Sequence, residues 1–396
     1  MSNKQTNFDL EAVRERARKA VAPLKSADDK TSAPNDMLFS AGRASAGQRL
    51  PAPYLVYFLL HDLLGFRDLG RFEKLAYSLP VVFHGTAYLI EHRKFGLGIF
   101  AADPEAQGAD AAEIARLINK GVKAAQPYFD YLAQTAGQGS MLNVHNHSRE
   151  LYERFEYLRR LHQGKADEAE RRKDEHEVTE HRSDDGKLRS RTHTFPAFEL
   201  LREAQWLGIS AVEAFFAWTE HVFIHIAILQ GICQTGQGVS LLAASDWADK
   251  FKAALGVDDA ETKALYDELT AARRQLRNHV AHGAFGKDGQ AFSFHSTAGA
   301  VPLLLPHKRS KESLRFGSGA DLRPDEALAI IERFEAHLWS GERVRLKRHV
   351  QDCALPSILT KAADGTYERA MANDQAMEDL IRYLSYQMDQ AANMDW

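Results

Sequence analysis

Cysteine is nearly absent: the 396 residues contain only Cys233 and Cys353. Two cysteines cannot build a disulfide framework or a four-cysteine zinc site, and such sparse use suits a reducing compartment. An excess of one charge is also missing. The 50 Lys and Arg stand against 54 Asp and Glu, a formal net charge of −4 that excludes a chain coated with basic residues. The stretch after Met1 is polar and Arg-rich with no apolar centre, so no secretory signal is expected. Long apolar runs are scarce. The longest, Trp206 to Cys233, carries Glu213, Glu220, His221 and His225, each costly at the middle of a bilayer, so a buried helix is expected there. There is no phosphate loop of the Gly-x4-Gly-Lys-Ser/Thr type and no Gly-x-Ser-x-Gly elbow, which removes NTPase and α/β-hydrolase readings. These lacks lead to the expectation of a cytoplasmic protein that makes no use of a membrane.

What is present is the composition of a folded chain, 44% hydrophobic and 26% charged, long enough for two or three domains. Residues 1–50 read as an arm and linker: a short charged helix over Asp9 to Leu24, then Ser, Ala, Gly and Asp up to Pro51 and Pro53. Residues 51–147 read as an α+β domain of unknown role, with a hairpin expected between Val81 and Phe100 and helical spacing from Ala109 to Thr135. Between Ser148 and His193 lie twelve Asp and Glu and twelve Lys and Arg, with no Phe, Tyr or Trp after Tyr157. This mixture predicts a solvated helix pair or a flexible connector over residues 148–194, with a domain boundary inside it. Residues 195–306 read as a helical domain: a long apolar helix over Phe198 to Gly231, a shorter one around Trp247 to Leu255, a third over Glu261 to His282, then a small hairpin. Pro324 opens a helix to Leu338 within a helical extension over 307–396. The expected class is mainly α, α+β overall.

The third helix carries the chemistry. Its apolar positions Leu265, Leu269, Ala272, Leu276 and Val280 are spaced 4, 3, 4 and 4, which predicts the buried side of a helix. Rotation by about 100° per residue then puts Arg274, Asn278 and Ala281 on the far face, with Arg277 and His282 flanking it. Gly283 comes next as a C-terminal stop. An arginine and a histidine displayed together suit phosphate: guanidinium grips phosphoryl oxygens in a fork, and imidazole moves protons near neutral pH. Such a pair needs no metal and no cofactor.

The run Arg277-Asn278-His279-Val280-Ala281-His282 resembles the HEPN family, whose members carry Arg, a polar residue that is often Asn, and His at this spacing. The resemblance covers about residues 195–285 and includes the long preceding helix. It implies an antiparallel helical bundle and metal-independent RNA cleavage, in which the ribose 2′-OH attacks the adjacent phosphate. It further implies that two domains face each other across one composite cleft; with one copy of the motif in this chain, that means a homodimer. On this carry-over Arg277 stabilises the phosphate, His282 handles protons and Asn278 orients or contacts the RNA. The family contains toxins and antiphage effectors, so an antitoxin or other regulatory partner is also implied. The same resemblance allows an alternative, an inactive module for dimerisation or for binding RNA or nucleotides.

Local charge agrees with RNA as ligand. From Arg273 to Arg315 eight Lys and Arg face only Asp288 and Glu312, and Arg273, Arg274 and Lys287 are the expected phosphate contacts. Phe292, Phe294 and His295 could stack on bases, although Phe292 and Phe294 read first as core residues. In the long helix, Ser210, Glu213, Ala217, Glu220 and His221 form one narrow stripe. Its carboxylates predict either a salt bridge to Arg273 or Arg277, or support by Glu213 or Glu220 that holds Arg277 in position. His221 and His225 have the i, i+4 spacing of a metal pair but lack an evident third ligand. The triplet His145-Asn146-His147 spells a nuclease signature without that signature's surroundings.

Overall fold

The computed structural model describes residues 8–28, 31, 33–34, 36–71, 74–184, 186–282, 292–304, 314–317 and 323–393. Within them the chain is mainly α-helical with small antiparallel sheets, and it divides into two compact units, residues 1–139 with 382–396 and residues 140–381.

In the first unit, helix α1 (Leu10–Val21) starts where Asp9 accepts a hydrogen bond from the Ala12 backbone N–H at 3.0 Å, filling one of the open donors of a helix start. Its residues Val13, Ala17 and Val21, four apart, are buried in the core of the unit. The segment expected to be a free arm is thus core, because a stripe of small and β-branched residues was hidden among its charges. Two short strands, β1 (Lys25–Ser26) and β2 (Gly42–Ala44), form the edges of a five-stranded sheet of order β1-β3-β4-β5-β2. The centre is the meander β3 (Leu75–Phe83), β4 (Thr86–Arg93) and β5 (Gly96–Ala101), which answers the expected hairpin. His84 and Gly85 both take positive φ, 48° and 81°, the two-residue turn whose twist matches that of the flanking strands. Leu79, Val81, Tyr88, Ile90 and Ile99 point from this sheet into the same core as Ile114 and Ile118 of helix α2 (Gly108–Ala124). Helix α3 (Gln126–Gln138) adds Tyr128 and Phe129.

The second unit opens with the short strand β6 (Asn143–Val144) and helix α4 (Ser148–Arg171). The charged segment is therefore helical along this stretch rather than a flexible connector, and the division between the units falls ahead of it, at residues 139–140, not inside it. Ser148, Phe155, His162 and Ala169, each seven residues on, make a thin buried stripe, and the balanced charges occupy the remaining surface. A two-stranded ribbon, β7 (Glu177–Arg182) with β8 (Leu188–Thr194), exposed along its whole length, leads into helix α5 (Pro196–Leu229). By length and composition α5 could cross a membrane, but 72% of its apolar window is buried within the fold. Helices α6 (Gly236–Ala244), α7 (Trp247–Leu255), α8 (Ala260–His282) and α9 (Pro324–Leu338) follow, with α7, α8 and α9 close to the expected ranges, and further helices over Arg343–Lys347, Leu359–Ala363, Thr366–Ala370 and Asp374–Asn393 continue the expected helical extension.

The core around α5 is aromatic. Phe334 of α9 meets Phe215, Phe223 and Phe251 with ring centroids 5.9, 6.2 and 5.7 Å away. The first two contacts are edge-to-face and the third is tilted, geometries that add to the area buried. Each buried indole finds an acceptor: Trp218 donates to Gln351 Oε1 and Trp247 to Thr219 Oγ1, both at 3.0 Å. Strands β9 (Phe292–Ser296) and β10 (Gly299–Leu304) form the expected hairpin, and β11 (Arg315–Phe316) extends it to three strands. Phe292 and Phe294 stay about half exposed, so the core role expected of them is incorrect: their face is not covered. Strand β12 (Ser357–Ile358) pairs with β6.

Candidate active site

Helix α8 begins at a turn in which Asp259 Oδ1 accepts from the Thr262 backbone N–H at 2.8 Å. Leu265, Leu269, Ala272 and Leu276 are buried as the periodicity predicted, but Val280 is 54% exposed. The covered stripe thus stops at Leu276, and the last turn runs on with no described element packed over it. Arg274 and Arg277 are exposed on this end and Asn278 is half-buried. Among the described residues Arg277 has neither an ion pair nor a hydrogen bond from its side chain, so its guanidinium is free to meet an anion. His282 belongs to the helix, but its side chain lies outside the described residues, as do Lys287 and the rest of 283–291.

The carboxylates divide differently from the expectation. Glu220 accepts from Lys250 Nζ at 2.9 Å and from Arg273 Nη2 at 3.1 Å, joining α5, α7 and α8 through one group. This is the salt bridge to Arg273; Arg277 takes no part in it. Lys250 is only 5% exposed, and Glu220 offsets the cost of keeping that ammonium out of water. Glu213 is exposed and takes no ion pair among the described residues, so the support expected of it for Arg277 is not formed. The two carboxylates share one helix face, since seven residues are nearly two full turns, but Glu213 lies about 10 Å along the axis from Glu220 and has no described cation beside it.

Two signals set aside at the sequence level meet in space. The backbone N–H of His147 donates to His221 Nε2 at 2.8 Å, and His225 Nε2 lies 3.1 Å from that same atom. An N–H can only donate, so His221 Nε2 is the acceptor of the His147 bond, which uses the one in-plane lone pair of that nitrogen. His225 Nδ1 is hydrogen-bonded to the Ser357 hydroxyl, 2.7 Å away. Ser357, His225 and His221 thus form a relay of polar contacts that ends on the His147 backbone. Burial pushes the His221 imidazole down to about 4 and that of His225 down to about 3, which holds both neutral. Asn146 is committed to structure, donating to the Val350 and Leu355 carbonyls at 2.8 and 2.9 Å. Ser357 and His225 are fully buried, so the relay braces β12 and the start of α4 against α5 rather than meeting a substrate. Nothing in the sequence links residues 225 and 357, and Ser357 carried no signal. His349, also fully buried, has no partner for either ring nitrogen among the described residues, and burial lowers its pKa to about 4.

Among the described residues no three His, Cys, Asp or Glu side chains gather as metal ligands, including His221 and His225. Of the described groups that sequence reasoning singled out, Arg274 and Arg277 at the end of α8 and the rings of Phe292 and Phe294 are among those exposed. No family model matches this chain, and neither a curated protein nor a solved structure matches it.

Proposed function

We propose that this chain is a metal-independent endoribonuclease of the HEPN type that works as a homodimer, with Arg277, Asn278 and His282 from both copies lining one cleft. The observation that supports the reading is the division of labour along α8: Arg273 is tied to Glu220, whereas Arg277, one turn on, is exposed and uncommitted. A guanidinium with no internal carboxylate is the state in which phosphate can be gripped by two parallel N–H bonds.

In the reaction, the imidazole of His282 takes the proton of a ribose 2′-OH and the freed oxygen attacks the adjacent phosphorus. The bond to the 5′ oxygen breaks, that oxygen takes up a proton, and the products end in a 2′,3′-cyclic phosphate and a 5′-hydroxyl. Arg277 stabilises the charge that builds on the non-bridging oxygens, and Asn278 orients the strand. No cofactor is required. By analogy with the family, an RNase of this kind serves as a toxin or antiphage effector held in check by an antitoxin or regulatory partner, in the cytoplasm.

The test is incubation of wild type and His282→Ala with labelled RNA in EDTA, with fragment ends analysed. Wild type should leave cyclic phosphate ends, and His282→Ala should lose at least about 100-fold in turnover while still binding RNA. Equal products from both proteins would sink the assignment, and salt-sensitive binding by both without cleavage would favour the inactive binding module.

A further inference from the structure

Nine residues after α8 the chain enters the sheet β11-β10-β9, whose pairing fixes which side chains share a face. Phe292 stands opposite Leu303, Leu303 opposite Phe316, and Phe294 opposite Val301. Partners across a sheet point the same way, as do alternate residues along a strand. Phe292, Phe294, Val301, Leu303 and Phe316 therefore make one face, and Leu304, which is buried, belongs to the other. A one-sided sheet ordinarily covers its apolar face. Here Phe292, Phe294 and Phe316 remain 48%, 50% and 64% exposed, and the rings of Phe294 and Phe316 lie 5.8 Å apart across β10. Three exposed aromatic rings on one small sheet mark a binding surface.

We propose that this face is a stacking platform for the bases of unpaired RNA, which makes single-stranded RNA the substrate class. The word substrate rests on the ribonuclease reading; the binding does not. Charge selects RNA over an apolar protein partner. Setting aside Arg273, whose charge is met by Glu220, the sequence from Arg274 to Phe316 carries seven Lys and Arg against Asp288 and Glu312, an excess of five in a protein whose net charge is −4. That local field attracts a phosphate backbone. Spacing agrees. Residues two apart on a strand are about 6.8 Å apart, twice the rise of about 3.4 Å between stacked bases, so Phe292 and Phe294 can each receive a base drawn out of its stack. A duplex keeps its base faces covered and offers nothing to these rings.

The test uses the full-length protein and an end-labelled 2′-O-methyl oligonucleotide, which lacks the attacking hydroxyl and cannot be cleaved by this route, as single strand and as duplex in EDTA. Phe294→Ala and Phe316→Ala should each weaken single-strand binding by about tenfold, leaving duplex binding and the salt dependence unchanged. Phe294→Trp, which keeps a stacking surface, should retain full affinity. Both rings are largely in water, so unchanged thermal unfolding serves as the control for folding. Unchanged single-strand affinity in both alanine variants overturns the platform. So does a change in sedimentation without a change in affinity, which would assign the face to a protein contact. If the alanine variants bind normally while His282→Ala abolishes cleavage of ordinary RNA, the platform falls and the ribonuclease stands. If they lose affinity while His282→Ala leaves the products unchanged, the platform stands and the ribonuclease falls.

Discussion

His349 is buried with neither ring nitrogen partnered among the described residues, a combination that costs stability twice. Its neutral ring hides an unsatisfied donor and acceptor, and its lowered pKa adds a pH-dependent loss. The folded value of about 4 lies below the free value of 6.5. Stability is therefore complete above pH 6.5 and falls as the pH drops from there toward 4, because the unfolded chain binds a proton that the folded chain refuses. His221 and His225 act in the same direction in the same window. His349→Leu removes one such proton. We expect it to raise the free energy of urea unfolding by about 2 kcal/mol more at pH 5 than at pH 8, from 1.36 kcal/mol per unit of pKa. An equal gain at both pH values would show that the ring titrates normally. Glu220 presents the opposite case, a charge whose removal strands another. Glu220→Ala should cost about 1–3 kcal/mol, less than for a wholly buried pair because the Glu220 side chain keeps 34% of its surface in water. Adding Lys250→Met should recover most of that loss in the same denaturation experiment. Failure to recover would mean that the carboxylate acts through Arg273 instead.

At the scale of elements, the packing of α4, α5 and α9 turns on one missing side chain. A Cβ built on Gly208 would fall 2.5 Å from Pro324 Cβ and 2.9 Å from His162 Nδ1. The His162 ring cannot swing aside freely, since its nitrogens sit 2.8 Å from the Ala204 carbonyl and from Asp325 Oδ1. Gly208→Ala should therefore lower the unfolding free energy by about 1–2 kcal/mol, overpacking outweighing the better helix propensity of alanine. Gly164 of α4 meets nothing within 4 Å, and Gly164→Ala should stabilise by up to about 1 kcal/mol. Parallel thermal melts of the two variants give the contrast, and shifts of the same sign would refute it. The same elements show what the sequence made legible. Helices α7, α8 and α9 were readable because their apolar stripes are wide and Pro and Gly punctuate their ends. Helix α4 was only half readable, as a solvated helix or a connector, because one buried residue in seven leaves too faint a period among its charges. The bracing relay was not, since hydrogen bonds such as that between His225 and Ser357 join residues far apart in sequence. In the site itself, the 3.6-residue rule put Arg274 on the exposed side, whereas Asn278, expected there too, is half-buried, and the rule could not tell that cover for the helix ends before Val280.

For the whole molecule, the proposed mechanism makes a demand that one chain does not meet. The sequence carries a single Arg-Asn-x3-His run, so a cleft needing two copies exists only when two chains meet. Cleavage per chain should then fall on dilution: below the dissociation constant of the dimer, the amount of dimer follows the square of the total concentration, and the specific rate drops in proportion to concentration. A tenfold dilution in that range should cost about tenfold in rate per chain, and excess His282→Ala protein should draw wild-type chains into mixed pairs. If both histidines of a cleft are needed, the variant quenches wild-type activity as it is titrated in. A rate per chain that stays constant down to concentrations where sedimentation finds only monomers would remove the composite cleft, while leaving Arg277 as a phosphate contact of a single chain. The net charge of −4 adds a constraint on conditions. Two such chains repel at long range, and salt screens that repulsion while weakening the pull of the cations around Arg277 on RNA. Dimerisation and RNA binding should thus respond to salt in opposite senses, giving the cleavage rate a maximum at intermediate ionic strength. Low protein concentration should move that maximum toward higher salt, because association of the chains then limits the rate.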